Sequence, residues 1–103
     1  MRIKQLSGAG GAEITEINLA NANDKDILEI QAALGKFLVV TFPEQDFDDT
    51  ALAKFTARLG SFGLEPFLEG EATHPHVVAV VKEADETKRL NFGGNWHSDW
   101  SFL

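Results

Sequence analysis

His97 and Asp99 stand two residues apart in the stretch Trp96-His97-Ser98-Asp99-Trp100-Ser101-Phe102-Leu103. Alternate side chains of an extended segment share a face. His97, Asp99 and Ser101 are therefore expected to project one way, and Trp96, Ser98, Trp100 and Phe102 the other. A neutral imidazole and a carboxylate suit a first-row divalent metal, and two His with one carboxylate leave positions open for substrate and oxygen in non-haem iron(II) enzymes. Spacing alone leaves a second reading open, a His hydrogen-bonded to a nearby Asp at a strand edge. With three His and seven Asp in 103 residues, an H-x-D arises easily by chance. His74 and His76 flank Pro75 and read as solvated loop histidines rather than ligands. A two-ligand zinc site is disfavoured, because structural zinc takes four protein ligands and catalytic zinc three. With no cysteine there is neither a disulfide framework nor a thiolate site.

The elements that must position this pair follow from local pattern. Arg2 to Leu6 alternates charged and apolar residues and predicts a short strand, with Ser7 to Gly11 as a turn. Glu13 to Ile17 is β-branched and predicts a second strand. Asp24 is the expected helix cap, with Asp26 favourable to the dipole. Ile27, Ile30, Gln31 and Leu34 then form a helical stripe over about 25–35, which Gly35 closes. The apolar run 37–42, ended by Pro43, predicts a strand buried on both faces. A second helix is expected over about 49–60, with Leu52, Phe55, Thr56 and Leu59 as its stripe. Residues 61–75 read as loop, Val77 to Val81 as another buried strand of the same core, 84–89 as a turn, and 91–95 as a glycine-loosened loop. Trp96 and Trp100 are expected to pack in a core or an interface. No internal repeat or linker interrupts the chain, so a single structural unit is expected. Its apolar ending reads as backbone inside a strand.

Charge narrows the functional classes. Nine basic and sixteen acidic groups leave −7. The imbalance is concentrated downstream: residues 1–43 hold four basic and five acidic groups, residues 44–103 five and eleven. That balance argues against a phosphate-backbone binder, which needs a cationic footprint. No apolar run approaches the roughly 20 residues that span a bilayer, and the start Met-Arg-Ile-Lys-Gln-Leu-Ser-Gly lacks a signal-peptide core. The expectation is a cytoplasmic protein without nucleic-acid or membrane partners. Self-association is left open.

Wider context separates the two readings of His97 and Asp99. Asn95-Trp96-His97-Ser98-Asp99-Trp100-Ser101-Phe102 resembles the (N)-W-H-[ST]-D-x-[ST]-[FY] pattern of the taurine dioxygenase family, the iron(II)- and 2-oxoglutarate-dependent dioxygenases. Upstream, Gly11-Ala12-Glu13-Ile14 resembles that family's early G-A-E-I strand, Leu38 to Phe42 its buried L-V-V-F-R strand, and Arg58-Leu59-Gly60 its R-F-G helix end. The resemblance implies an α+β chain forming the N-terminal portion, about a third, of a double-stranded β-helix (jelly-roll) catalytic domain with flanking helices. It implies Fe(II) held by His97, Asp99 and a His beyond Leu103, with an Arg further on for the far carboxylate of 2-oxoglutarate. It also implies a small organic substrate hydroxylated with O2, with release of succinate and CO2. Where taurine-using members carry a sulfonate-binding His before Pro, this chain has Glu65-Pro66, and a carboxylate there would repel a sulfonate. Glu65, Asn95 and Lys82 are the candidate substrate contacts. Each has a plainer alternative: a solvated Glu65, an Asn95 that holds its loop, an outward-pointing Lys82.

The rival class is a non-catalytic, truncated dioxygenase-like domain acting as an acidic interaction module. Its support is the lack of a third ligand and of the Arg within 103 residues. A reading frame that continues past codon 103 to a distal His and Arg separates the two. By the same ligand count, residues 1–103 alone are expected to be inactive.

Overall fold

A computed structural model of the chain describes residues 1–63, 68–88 and 93–98. Two compact units emerge, Met1–Phe62 and Gly63–Leu103.

In the first unit a hairpin pairs β1 (Arg2–Ser7) with β2 (Gly10–Thr15), antiparallel, in the register Arg2↔Thr15 to Ser7↔Gly10. Ser7 Oγ donates to the Gly10 carbonyl at 2.6 Å across the tight turn. Period-two alternation then sorts β2, placing Ala12 and Ile14 at 0% exposure. Helix α1 (Asp24–Phe37) follows a 3-10 turn at Leu19–Asn21, and it returns the chain to a parallel strand, β3 (Val40–Thr41), beside β2. The sheet order is β1-β2-β3. Helix α2 (Asp49–Leu59) completes the unit.

Both helix starts follow cap chemistry. At α1 the cap is Asn23 rather than the expected Asp24. Asn23 Oδ1 accepts from the Asp26 amide and Asp26 Oδ2 accepts from the Asn23 amide, each at 2.9 Å, a reciprocal box that needs residues three apart. At α2 the Asp48 carboxylate accepts from the Ala51 amide at 2.7 Å.

The end of α1 corrects two expectations. Gly35 lies inside the helix, which runs on to Phe37 and stops at Leu38, whose φ of 69° closes it. The apolar run 37–42 is consequently not a strand buried on both faces. Only Val40 and Thr41 pair, while Leu38 and Val39 are 73% and 60% exposed. The physical reason is register. Ile30, Ala33 and Phe37 fall on one helical face, and Phe37 packs against the core from there, so helical burial wins at the first residue of the run. Beyond it, only two residues have a neighbouring strand to bond.

The core joins Ile14, Leu19, Ala22, Ile27, Ile30, Ala33 and Phe55. Of the stripes expected, Ile27, Ile30 and Phe55 are buried. Leu34 and Leu52 stay 40% and 39% exposed, and Gln31 instead donates to the Leu59 carbonyl at 3.2 Å, tying α1 to the end of α2. Phe55 meets Phe42 edge-on at 6.1 Å and Phe47 at 5.7 Å.

One polar side chain braces this unit. Gln45 accepts from the Leu19 amide at 2.9 Å and donates to the Ile17 and Pro43 carbonyls at 3.0 Å each. Glu16 and Glu44, next to two of the three clamped segments, adopt left-handed φ of 57°. Arg58 adds a second brace, reaching the Ala22 carbonyl and, at 2.7 Å, Asp24 Oδ1.

In the second unit, no helix or strand occurs among the described residues. Residues 71–77 fold back on themselves: the Glu71 amide donates to the Val77 carbonyl at 2.7 Å and the Val77 amide to the His74 carbonyl at 2.9 Å. The Pro75 carbonyl lies against Gly70 where any Cβ would stand, so only glycine passes there. The expected strand 77–81 is absent, with Val80 and Val81 at 61% and 69% exposure. β-Propensity records how well a side chain packs on a pleated surface, and here no described strand lies alongside to supply one. The expected turn is present at Glu83–Glu86, closed by the Glu86 amide on the Glu83 carbonyl at 3.1 Å.

Candidate metal centre

His97 sits in the irregular stretch 93–98, every residue of which is exposed. Its imidazole is oriented by backbone. Nδ1 lies 2.7 Å from the Asn95 carbonyl oxygen. A carbonyl only accepts, so Nδ1 is the protonated nitrogen and the lone pair of the neutral ring resides on Nε2. Beneath the ring, Gly93 turns with φ of 68°. A Cβ on Gly93 would stand 3.4 Å from His97 Cε1. Gly93, Gly94, Asn95, Trp96 and His97 together line a shallow depression.

The partners expected for His97 divide by position. Asp99 and Glu65 lie outside the described residues, as does Ser101. Asn95 is beside His97, and its backbone carbonyl makes the contact. Lys82 is engaged within its own turn, with Nζ 3.9 Å from Glu86 Oε1 and donating to the Lys88 carbonyl. His74 Nδ1 lies 3.0 Å from Thr73 Oγ1, within the 71–77 loop. Trp96, expected to be packed, is fully exposed. Nothing among the described residues covers it. Among those residues no three His, Asp or Glu side chains converge.

Sequence reasoning passed over Gly93 and the Asn95 carbonyl. The Gly93-Gly94 pair was the available signal, since adjacent glycines three and four residues before a candidate ligand mark a turn, and Gly93 there takes positive φ.

The chain belongs to the taurine catabolism dioxygenase TauD, TfdA family, whose model matches residues 2–103. An (S)-phenoxypropionate/alpha-ketoglutarate-dioxygenase of Sphingobium herbicidovorans is 24% identical over 102 residues, which is 98% of this chain and 36% of that protein. A crystal structure assigned as an alpha-ketoglutarate-dependent taurine dioxygenase from Burkholderia xenovorans superposes with a TM-score of 0.65 at 34% identity. That match covers 72% of this chain and 27% of the other. The chain thus spans about a third of the length of the curated relative. The α+β arrangement of a three-stranded sheet with two helices is similar to the corresponding part of the solved structure. Among the described residues no helix is long and apolar enough to cross a membrane.

Proposed function

We propose that this chain is the N-terminal part of an Fe(II)- and 2-oxoglutarate-dependent dioxygenase that hydroxylates a small organic substrate with O2, releasing succinate and CO2. The observation that carries the reading is the family match across residues 2–103, which includes the Trp96-His97-Ser98-Asp99 segment. The donor set fits the metal. His97, with Nδ1 committed to a carbonyl, presents its lone pair at Nε2, and Asp99 adds a carboxylate oxygen. One imidazole and one carboxylate are two of the three ligands that a first-row divalent ion takes when positions stay open for substrate. Iron supplies the oxygen chemistry when bound.

What the chain's own residues do is hold and orient. Met1–Phe62 provides the cored scaffold. The 93–98 turn holds the imidazole. The acidic surroundings, with seven acidic and three basic groups over residues 63–103, raise the local concentration of a cation. The jelly-roll sheet, the third His and the Arg for 2-oxoglutarate belong to the remainder of the parent domain. Glu65 disfavours a sulfonate at the position where taurine-using members place a His. That residue type argues against taurine and for a small organic substrate without a sulfonate.

The test is succinate release with Fe(II), 2-oxoglutarate and ascorbate, over a panel of small carboxylates, sulfonates and sulfate esters. A chain extended through the downstream His and Arg is expected to couple 2-oxoglutarate consumption to one substrate class. Residues 1–103 alone are expected to show no coupled turnover. Full activity of the longer chain after His97→Ala would overturn the reading.

A further inference from the structure

The sheet of the first unit has two edges, and their sequences differ. Among the described residues β1 and β3 each have a neighbouring strand on one side only. The β1 edge carries Arg2 and Lys4, and charged side chains on an edge strand discourage the pairing of another strand. The β3 edge has no such guard. The run from Phe37 to Phe42 holds no charged residue, and Val39 stands 60% exposed. Backbone direction leaves bonding groups on that edge. In extended backbone the N–H and C=O of one residue point to one side, and those of the next residue to the other. The Val39 carbonyl accepts from the Ala12 amide at 3.0 Å and so points to β2. The amide and carbonyl of Val40 therefore point outward, away from β2.

Leu38 adds an independent observation. Its φ of 69° is a conformation that favours Gly or Asn, and its side chain is 73% exposed. Neither backbone nor solvent favours leucine at that position, so its apolar side chain is explained by a contact outside the described residues. We infer that the outer edge of β3, from Leu38 to Phe42, is a docking edge for an uncharged, β-branched extended segment supplied by the remainder of the parent domain. The inference rests on the reading of this chain as the N-terminal part of a longer protein. Length supports that occupant, since the chain spans about a third of the curated relative and leaves ample polypeptide to supply a strand. β-Branched side chains match Val39 and Thr41 across a pleated surface. A second copy of this chain fits less well. With two paired residues before Pro43, β3 is too short to build the roughly 1,000 Å² that a stable interface needs. A segment of the same polypeptide docks on less area, because the tether removes the cost of bringing two molecules together.

The experiment compares amide hydrogen exchange at Val40 in residues 1–103 and in the chain extended through the downstream His and Arg. In residues 1–103 the Ala12 amide, bonded to Val39, is expected to be protected and the Val40 amide to exchange near the open-chain rate. In the longer chain Val40 is expected to exchange at least about a hundredfold more slowly, as an amide inside a ladder does. Two substitutions probe the edge. Val39→Lys places a charge beside it, and Leu38→Asn suits the left-handed backbone while removing the apolar side chain. In the longer chain each is expected to remove at least about tenfold of the Val40 protection. Unchanged methyl shifts of Ile14 and Ile30 show that the core of Met1–Phe62 stays folded in both variants.

A Val40 amide that exchanges freely in the longer chain overturns the inference, and so does protection that neither substitution reduces. These two outcomes decide it even where residues 1–103 do not fold alone. Protection already present in residues 1–103 also overturns it: growth with concentration assigns the edge to a second copy, and independence of concentration assigns it to a segment of this chain. Coupled succinate release separates the two readings. Protection of Val40 in the longer chain without turnover sinks the dioxygenase reading alone, while turnover with an unprotected Val40 sinks the docking edge alone.

Discussion

Met1–Phe62 and the described part of Gly63–Leu103 put their apolar residues to opposite use. In the first unit Ile14 and Ile30 are fully buried between sheet and helix. In the second, Val80, Val81 and Trp96 carry comparable apolar surface and stand exposed. In the first unit the inner faces of β2, α1 and α2 meet in one core within a short stretch of chain. The hairpin closes over two residues, and α1 leads directly into β3 beside β2. Short loops cost little entropy to close, so these contacts form from local information. The second unit bears the residues expected to do chemistry, and its backbone is organised by turns: 71–77, 83–86 and 93–97. The first unit is thus held by a core, and the described turns of the second by backbone hydrogen bonds.

The strongest way to break this contrast is kinetic. His97→Ala in the extended chain is expected to abolish coupled succinate release, a loss well beyond the roughly 10²-fold that a 1 Å misplacement of reacting groups can cost. Turnover assayed beside the thermal transition decides it, because the transition should stay put while activity disappears. A large shift in the transition would move His97 into the scaffold and dissolve the division.

Ile30→Ala is expected to do the reverse within the first unit. Removing a side chain at 0% exposure from a core this small should cost about 2–5 kcal/mol. Denaturant unfolding followed by helix circular dichroism measures it. A cost below about 1 kcal/mol would mean that the core is not what holds this half together.

Gln45→Leu sharpens the comparison from the polar side. Three backbone groups lose their partner at once, and each half-buried one left unpaired costs about 1 kcal/mol or more, so a loss of about 2–3 kcal/mol is expected. Faster amide exchange at Leu19 is the local signature to look for. Asn23→Ala comes next, at about 1 kcal/mol, through loss of the capping box. Val80→Ala is expected to be smallest, within about 0.5 kcal/mol, because its side chain is 61% exposed. A cost like that of Ile30→Ala would show that Val80 is buried in solution and that the second unit has a core after all.

Elements whose signal is local were legible without coordinates. The hairpin, both helices, the caps' chemistry and the Glu83–Glu86 turn all follow from residues within about four positions of one another. The end of α1 was not legible in the same way. Gly35 carries the residue type of a stop, yet the burial of Phe37 one half-turn later outweighs it, and that burial depends on where β2 lies. The 77–81 run shows the limit of propensity most clearly. Five small and β-branched apolar residues make a strand only when another strand offers a ladder, and a ladder is a property of the fold. Gln45 was equally invisible, since its three partners come from segments up to 28 residues away.

For the site, sequence by itself determined the chemical types: an imidazole and a carboxylate two apart, in an acidic setting, within a motif that places the chain in its family. Residue type and order persist whatever the chain folds into. Only the tertiary structure decided which nitrogen of His97 carries the proton and which residue holds the ring. Both depend on the direction of the Asn95 carbonyl, and direction is a property of backbone torsions that no side-chain identity encodes alone.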